Sequence, residues 1–495
     1  MASSSIELAA PAAARGRRWP AWLLASALAL VLALVVAALA KPFLVAAGVT
    51  ALESTSFHVT ALIASLIALI VLGVPIALSL AGSSLLYVAL SGAVPSVTVI
   101  HRMVNGVDSF PLLAVPFFIM AGNLMNSAGI TKRIYDFATA LFAWLRGGLG
   151  HVNVAGSVIF AGMSGTAVAD AGGLGTIEIK AMRDHGYSTR FAVGLTAASS
   201  TIGPIIPPSL PLVIYGVAAN ASIDKLFIGG VVPGLIMALF LSGAVFVYAH
   251  RNGVGRDARF SVSAIGKTFF TAFLPLMTPV IIIGGMMAGL FTPTEAAIFA
   301  CAYALALGTA LAWAVNKAVG RPIYPVMTRR QFVRVTFDTV ETTAVVLFIV
   351  AGASIFGWCL TQSRATDALG AWIIAVADDP VTFLILVNVF LLVVGCFMET
   401  IAAITILVPV LLPVALKLGI DPVHFGLVMV LNLMIGLLTP PVGMVLYVLS
   451  RVASISFEEA VKAVAPWIVP LVLVLILITF VPQTVLWLPN LLIAR

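Results

Sequence analysis

Gly203, Pro207 and Pro208 recur 233 residues later as Gly436, Pro440 and Pro441. The flanking stretches, IGPIIPPSLPLVIY at 202–215 and IGLLTPPVGMVLY at 435–447, are otherwise as apolar as a membrane span. A proline has no backbone donor and pushes the preceding residue out of the helical region. Carbonyls upstream of each Pro-Pro pair therefore lose their helical partners. Freed carbonyls are hard oxygen ligands suited to a small cation such as Na+. Glycine lets the backbone approach closely, and Thr439 adds a hydroxyl. A lone break of this kind is often only a kink, since proline and glycine are common in membrane helices. Two breaks with matching flanks point to a working part.

Upstream of each break lies a polar interruption, AGMSGTAVAD at 161–170 and CFMETIAAIT at 396–405. Ser164 and Thr166 in the first, and Glu399 and Thr400 in the second, read as tips of re-entrant hairpins. Helix N-termini at such tips favour an anionic group. Asp170, Glu178, Glu295 and Glu399 are ionisable residues close to polar breaks, which makes each a functional candidate. For Glu295, in GLFTPTEAA at 289–297, a capping box with Thr292 or Thr294 and a helix starting at Pro293 is the preferred reading. Asp338, Arg364 and Asp367 fall near membrane ends and carry no role.

The elements that must position these groups also repeat. GYSTRFAVG (186–194) parallels GIDPVHFG (419–426), so Ser188 and Asp421 are expected to cap equivalent helices. ASIDKLFIGGVVP (221–233) parallels ASISFEEAVKAVAP (453–466) with one inserted residue. Each half thus runs in one order: a segment broken by polar residues, a helix, then a segment broken by Gly-x-x-x-Pro-Pro. Unwound backbone at membrane depth is tolerated only where it is buried in protein or lines a wet cavity. Paired interruptions in corresponding halves are the sequence mark of a transporter's binding site.

Composition agrees. Of 495 residues, 61% are hydrophobic and 9% charged, against about a quarter charged in soluble domains. Apolar runs such as Ala21–Ala40, Leu226–His250, Thr268–Leu290, Ala296–Val315, Thr382–Phe397 and Val464–Leu488 give about a dozen spans on a ~20-residue rule. The chain reads as an all-α polytopic membrane protein rather than an outer-membrane barrel. Its net charge of +7 reflects Lys and Arg gathered in loops and is no nucleic-acid signal. The clusters Arg251, Arg256, Arg259, Lys267 and Lys317, Arg321, Arg329, Arg330, Arg334 are placed in the cytoplasm. RGRRW at 15–19, the apolar run behind it and Ala38-Leu39-Ala40 fit a cleaved signal peptide or a retained helix. The run's length favours the helix. Cys301, Cys359 and Cys396 read as buried small hydrophobes. The six histidines make no metal pattern, and neither a nucleophile–base pair nor a metal site supports an enzyme.

GMSGTAVADAGGLGTIEIKAM, GPIIPPS, GLFTPTEAA, METIAAITILVPVLLPVA, GIDPVHFG and IGLLTPPVG resemble the large membrane subunit of tripartite ATP-independent periplasmic (TRAP) transporters, from about His58 to the C-terminus. The resemblance implies an inverted-repeat elevator-type fold with two re-entrant hairpins and two unwound helices. The transport halves would span about 150–250 and 381–489, with linker and scaffold between them at about 251–380. Residues 1–57 would be an N-terminal extension, too short to replace a separate small subunit.

By the same resemblance the protein imports an organic anion, a carboxylate such as a C4-dicarboxylate or a sialic acid, across the bacterial inner membrane. Its partners would be a periplasmic binding protein and a small four-helix membrane subunit in the lipid bilayer. It would use no cofactor, with Na+ as the coupling ion. One Na+ site is expected where Ala161 and Ser164 meet Gly203, Ile206 and Pro207, and the other where Cys396 and Glu399 meet Gly436 and Thr439. Ser164, Thr166, Ser209 and Thr400 are the substrate candidates. The alternative is a self-sufficient Na+-coupled carboxylate carrier that works without a binding protein.

Overall fold

The computed structural model describes residues 21–46, 54–92, 94–320, 323–365, 373, 376–377, 379–440 and 443–493. Of the positions singled out above, the RGRRW stretch, Arg321, Asp367 and Pro441 lie outside the described residues, and Ser164 is described by its backbone alone. Among the described residues the regular structure is helical throughout. The chain divides into two compact units, Met1–Val107 with Leu347–Asp367, and Asp108–Val346 with Ala368–Arg495.

The first unit holds α1 (Ala21–Ala46), α2 (Thr55–Val71), α3 (Ile76–Ser91) and α4 (Val97–Val107). Helix α1 continues unbroken through Ala38-Leu39-Ala40. Its Leu34 is buried with Ala61, Leu86 and Leu90 of α2 and α3. Lys41 donates to the carbonyls of Leu90 and Ser91, placing a cation on the negative end of α3. Gly352 admits α3 closely, since a Cβ there would lie 2.7 Å from the Ala77 carbonyl oxygen.

The second unit begins with α5 (Ala114–Ser127) and α6 (Ile130–Phe142). Five elements follow that return later in the same order. They are α7 (Gly148–Ser164), a return arm made of α8 (Ala167–Gly172) and α9 (Leu174–Asp184), α10 (Thr189–Ser200), α11 (Leu210–Ala219) and α12 (Ile223–Arg251). Helices α13 (Val262–Met287), α14 (Pro293–Gly308), α15 (Ala310–Val319) and α16 (Arg329–Gln362), whose residues from Leu347 onward belong to the first unit, intervene in the chain. The second set is α17 (Pro380–Phe397), α18 (Thr400–Lys417), α19 (Pro422–Gly436), α20 (Met444–Ala453) and α21 (Phe457–Phe480), followed by α22 (Gln483–Leu492).

Capping residues set these starts. Ser188 accepts a hydrogen bond from the Phe191 N–H, and Asp421 accepts from Val423 and His424, as their positions in the repeat required. Thr292 and Glu295 form a reciprocal capping box on α14, the preferred reading of that glutamate. Cys301 and Cys359 are buried, while Cys396 is partly exposed.

Nine stretches among the described residues are long and apolar enough to span a membrane, with six shorter apolar helices besides. The dozen expected from composition ignored interruptions. Helices α11, α19 and α20 are halves of broken spans, and each is too short to cross alone. The first parts of the broken helices form the centre of the unit. Every residue from Phe191 to Ser200 in α10, and from Val423 to Gly436 in α19, is buried. Without a hydrophobic drive between helices in lipid, close backbone approach at small residues must hold them. Gly194 of α10 does so, because a Cβ there would lie 2.1 Å from the Ala463 carbonyl oxygen of α21.

The two sets also interlock. The return arm α8–α9 packs on α20, and the return arm α18 packs on α11, so each set's hairpin grips the other set's broken helix.

Candidate functional site

The first break is explained by proline arithmetic. Pro204, Pro207 and Pro208 withhold the N–H groups that would have reached the carbonyls of Ser200, Gly203 and Pro204. The Ser209 hydroxyl replaces one of them by donating to the Pro204 carbonyl, while also capping α11 through the Leu212 N–H at 3.2 Å. Ile202 accepts from both Ile205 and Ile206, at 3.0 and 3.1 Å. The carbonyls of Ser200, Thr201, Gly203, Ile206 and Pro207 accept no hydrogen bond among the described residues. Ser200 was missed by sequence reasoning, although Pro204 four positions on was the signal for it.

Two glycines of α12 brace this open backbone. A Cβ at Gly230 would lie 2.1 Å from the Ile205 carbonyl oxygen, and one at Gly234 would lie 2.2 Å from Ile206 Cγ1. The first hairpin turns beside the break. Ser164 ends α7, Gly165 takes the left-handed conformation at φ 61°, and Thr166 caps α8 by accepting from the Ala169 N–H at 3.3 Å. The Gly165 carbonyl accepts from the Leu210 N–H at 3.4 Å, and a Cβ on Gly165 would sit 2.8 Å from the Pro208 oxygen. Ala161, fully buried, lies in the last turn of α7. The structure therefore brings the first hairpin tip beside the first break.

The second break is tighter. Gly436 loses its helical partner to Pro440, yet its carbonyl is recaptured by the Thr439 N–H at 2.9 Å. The Thr439 hydroxyl donates to Ile435 at 3.0 Å and lies against the Cys396 thiol. Gly395 and Gly436 touch backbone to backbone. Here too hairpin and break meet, through Gly395, Cys396, Gly436 and Thr439.

The repeat aligned Ser164 with Glu399, but the two stand in unlike places. Ser164 closes an outgoing helix, whereas Glu399 opens the return helix α18, its Oε2 accepting from Ile401 and Ala402 N–H at 2.9 and 3.2 Å. The protein's own carboxylate thus occupies the helix N-terminus where an anionic substrate was expected. Glutamate is not a usual N-cap residue, so this role carries little signal in the sequence. Thr400 is buried, and its hydroxyl finds no partner among the described residues. Ser209 is fully buried, with its hydroxyl used both as donor and as acceptor.

Asp170 and Glu178 are both buried. Glu178 Oε2 accepts from Asn153 Nδ2 at 2.6 Å, while Asp170 Oδ2 and Glu178 Oε1 find no hydrogen-bond partner among the described residues. The one ion pair among the described residues, Lys132–Asp136, lies elsewhere. No group of three or more His, Cys, Asp or Glu able to hold a metal is found among the described residues.

Comparison with known proteins bears on this arrangement. Residues 63–484 match the family described as "Tripartite ATP-independent periplasmic transporter, DctM component". The sialic acid TRAP transporter large permease protein SiaM of Vibrio cholerae is 46% identical over 85% of this chain and 95% of its own length. The C4-dicarboxylate TRAP transporter large permease protein DctM of the same organism is 37% identical over 86% of this chain and 96% of its own. The sialic acid TRAP transporter permease protein SiaT of Haemophilus influenzae is 40% identical over 89% of this chain and 70% of its own. The crystal structure of the Alcanivorax borkumensis YdaH transporter superposes with a TM-score of 0.51 at 15% identity, covering 77% of this chain and 86% of that one, which shows likeness of fold.

Proposed function

Because the chain belongs to the DctM component family of the tripartite ATP-independent periplasmic transporters, we propose that it is the inner-membrane permease through which a Na+ gradient drives import of an organic anion. A periplasmic binding protein delivers the anion, and a small membrane subunit completes the complex. Transport proceeds by elevator-type alternating access, with the two hairpins and two broken helices moving together around the bound cargo. The chain is a permease and not an enzyme.

The observation that carries the Na+ reading is the row of carbonyls at Ser200, Gly203, Ile206 and Pro207 left without hydrogen bonds beside the first hairpin tip. Backbone oxygens left unpaired in a buried place cost free energy unless something coordinates them. Na+ fits, since hard cations take oxygen ligands. Gly436, Thr439, Cys396 and Glu399 supply the second, tighter site. The anion is proposed to sit beside Ser164, Thr166 and Thr400. Stronger identity to a sialic acid permease than to a C4-dicarboxylate one makes a sialic acid the first substrate to test.

The test is uptake into proteoliposomes holding this chain and its small subunit, with purified binding protein and radiolabelled sialic acid or succinate outside. Uptake is expected only when the inward Na+ gradient and the binding protein are both present. Full-rate uptake with choline in place of Na+ refutes the coupling, and full-rate uptake without the binding protein moves the chain to the self-sufficient class.

A further inference from the structure

Asn153 in α7 and Asn388 in α17 stand 235 positions apart, the interval that also separates Ala161 from Cys396. Ser199 in α10 and Asn432 in α19 stand 233 apart, the interval between Gly203 and Gly436. The repeat makes these two equivalent pairs, and the structure bonds them the same way round. Ser199 Oγ donates to Asn153 Oδ1 at 2.8 Å, and Asn432 Nδ2 donates to Asn388 Oδ1 at 2.7 Å. Each asparagine amide then donates onward to a threonine hydroxyl, Thr196 at 2.8 Å and Thr479 at 3.2 Å. Asn153, Ser199 and Asn432 are fully buried.

The direction of bonding survives although serine stands in one half and asparagine in the other. That is hard to attribute to packing, because a buried amide is costly unless bonded and an apolar residue would fill the space at less risk. The placement along the helices is also shared. Each asparagine lies eight residues before the hairpin position proposed as a ligand, Ala161 or Cys396, which is about 12 Å of helix. Each partner lies four residues, or about one turn, before Gly203 or Gly436. Both bonds thus tie together the two helices whose ends converge on one break.

We propose that Asn153–Ser199 and Asn388–Asn432 are matched clamps that set Na+ affinity, each holding a hairpin's outgoing helix in register with the first part of its broken helix. The proposal rests on the reading of the breaks as Na+ sites. The clamps touch no ion, so these are positioning residues. A site assembled from two helix ends binds with an apparent affinity reduced by the fraction of time in which it is assembled. Removing the bond that fixes the register lowers that fraction and raises the Na+ concentration needed, while leaving the saturated carrier intact.

The experiment is a Na+ titration of binding-protein-dependent uptake by the reconstituted complex, for wild type, Asn153→Ala, Ser199→Ala, Asn388→Ala and Asn432→Ala, each paired with a thermal unfolding curve. A rise of about five-fold or more in Na+ half-saturation is expected in each half, the size set by one lost hydrogen bond. The maximal rate at saturating Na+ should stay within about two-fold of wild type, since the clamps only alter the assembled fraction. Should an asparagine variant of α7 or α17 fail to reach the membrane, Ser199→Ala and Asn432→Ala carry the test, because both leave Asn153 or Asn388 in place, the first removing one bond to it and the second the two that Asn432 makes to the Asn388 side chain and carbonyl. A lowered melting temperature and maximal rate with an unmoved Na+ midpoint make the pairs structural only and overturn the proposal. A wild type indifferent to Na+ overturns both this proposal and the reading beneath it.

Discussion

Gly436 and Gly395 are in direct backbone contact: a Cβ on Gly436 would lie 2.5 Å from the Gly395 Cα. The glycine that the sequence marks as a cation ligand is therefore also the point where α17 and α19 cross. Gly436→Ala is expected to cost about 1–3 kcal/mol through overpacking. Gly395→Ala, whose Cβ would meet Gly436 Cα at 3.0 Å, should cost less. Thermal unfolding of the two purified variants checks the order, and equal melting temperatures would count against the contact.

Glu399 offers a way to separate capping from charge. Asparagine caps a helix about as well as a carboxylate, whereas alanine loses about 0.5–2 kcal/mol. Glu399→Asn should then unfold near the wild-type temperature, and Glu399→Ala should not. Both should need more Na+ for half-maximal uptake, since each removes a negative charge beside the second break. An unchanged Na+ midpoint in both would leave Glu399 a cap alone.

Ser209 was expected to touch substrate, yet its hydroxyl is committed to the Pro204 carbonyl and the Leu212 N–H. Ser209→Ala should lower stability by about 1 kcal/mol, as loss of an N-cap does. The substrate KM measured in uptake should remain within experimental error. A several-fold rise in KM without a change in melting temperature would restore the substrate role.

Asp379 begins α17 by accepting from the N–H groups of Val381 and Thr382, each at 2.9 Å. Hydrogen bonding from the Thr382 side chain, and then from these backbone groups, holds its carboxyl below the ordinary value of 3.8. A depressed carboxyl stabilises the folded form above the unfolded value and loses that contribution as pH falls through the folded one. Protection of the first-turn amides of α17, taken as exchange relative to the intrinsic rate at each pH, should therefore fall on acidification below about pH 4. Asp379→Asn should flatten that dependence. An identical acid profile in the variant would show that another group is responsible.

Both breaks were legible because proline spacing acts locally. Pro204, Pro207 and Pro208 determine which carbonyls go unpaired before any tertiary contact is known. The caps at Ser188, Thr292 and Asp421 were legible for the same reason. What stayed hidden depends on partners distant in sequence. The Gly230 and Gly234 shelf under the first break is invisible until α12 is placed against α10. The recapture of Gly436 by Thr439 follows from a turn that the apolar pattern does not encode. The return arm of the first hairpin splits at Gly173 into α8 and α9, whereas α18 runs unbroken through Pro409 and Pro413. Aligning the halves by sequence therefore overstated their likeness at the tips, where Ser164 and Glu399 fall on opposite sides of the turn.

The crossed grip of α8–α9 on α20 and of α18 on α11 bears on how such a molecule could be cut or inherited. In a tandem array, loss of one copy leaves a shorter but competent protein. Here the partner surface of each hairpin is encoded in the other copy, so neither half carries a complete fold. A fragment ending near Arg251 would expose the α11 face that α18 covers, and it would be rescued only by the missing half supplied alongside. The duplication is thus better seen as one lock cut from two keys than as a module used twice.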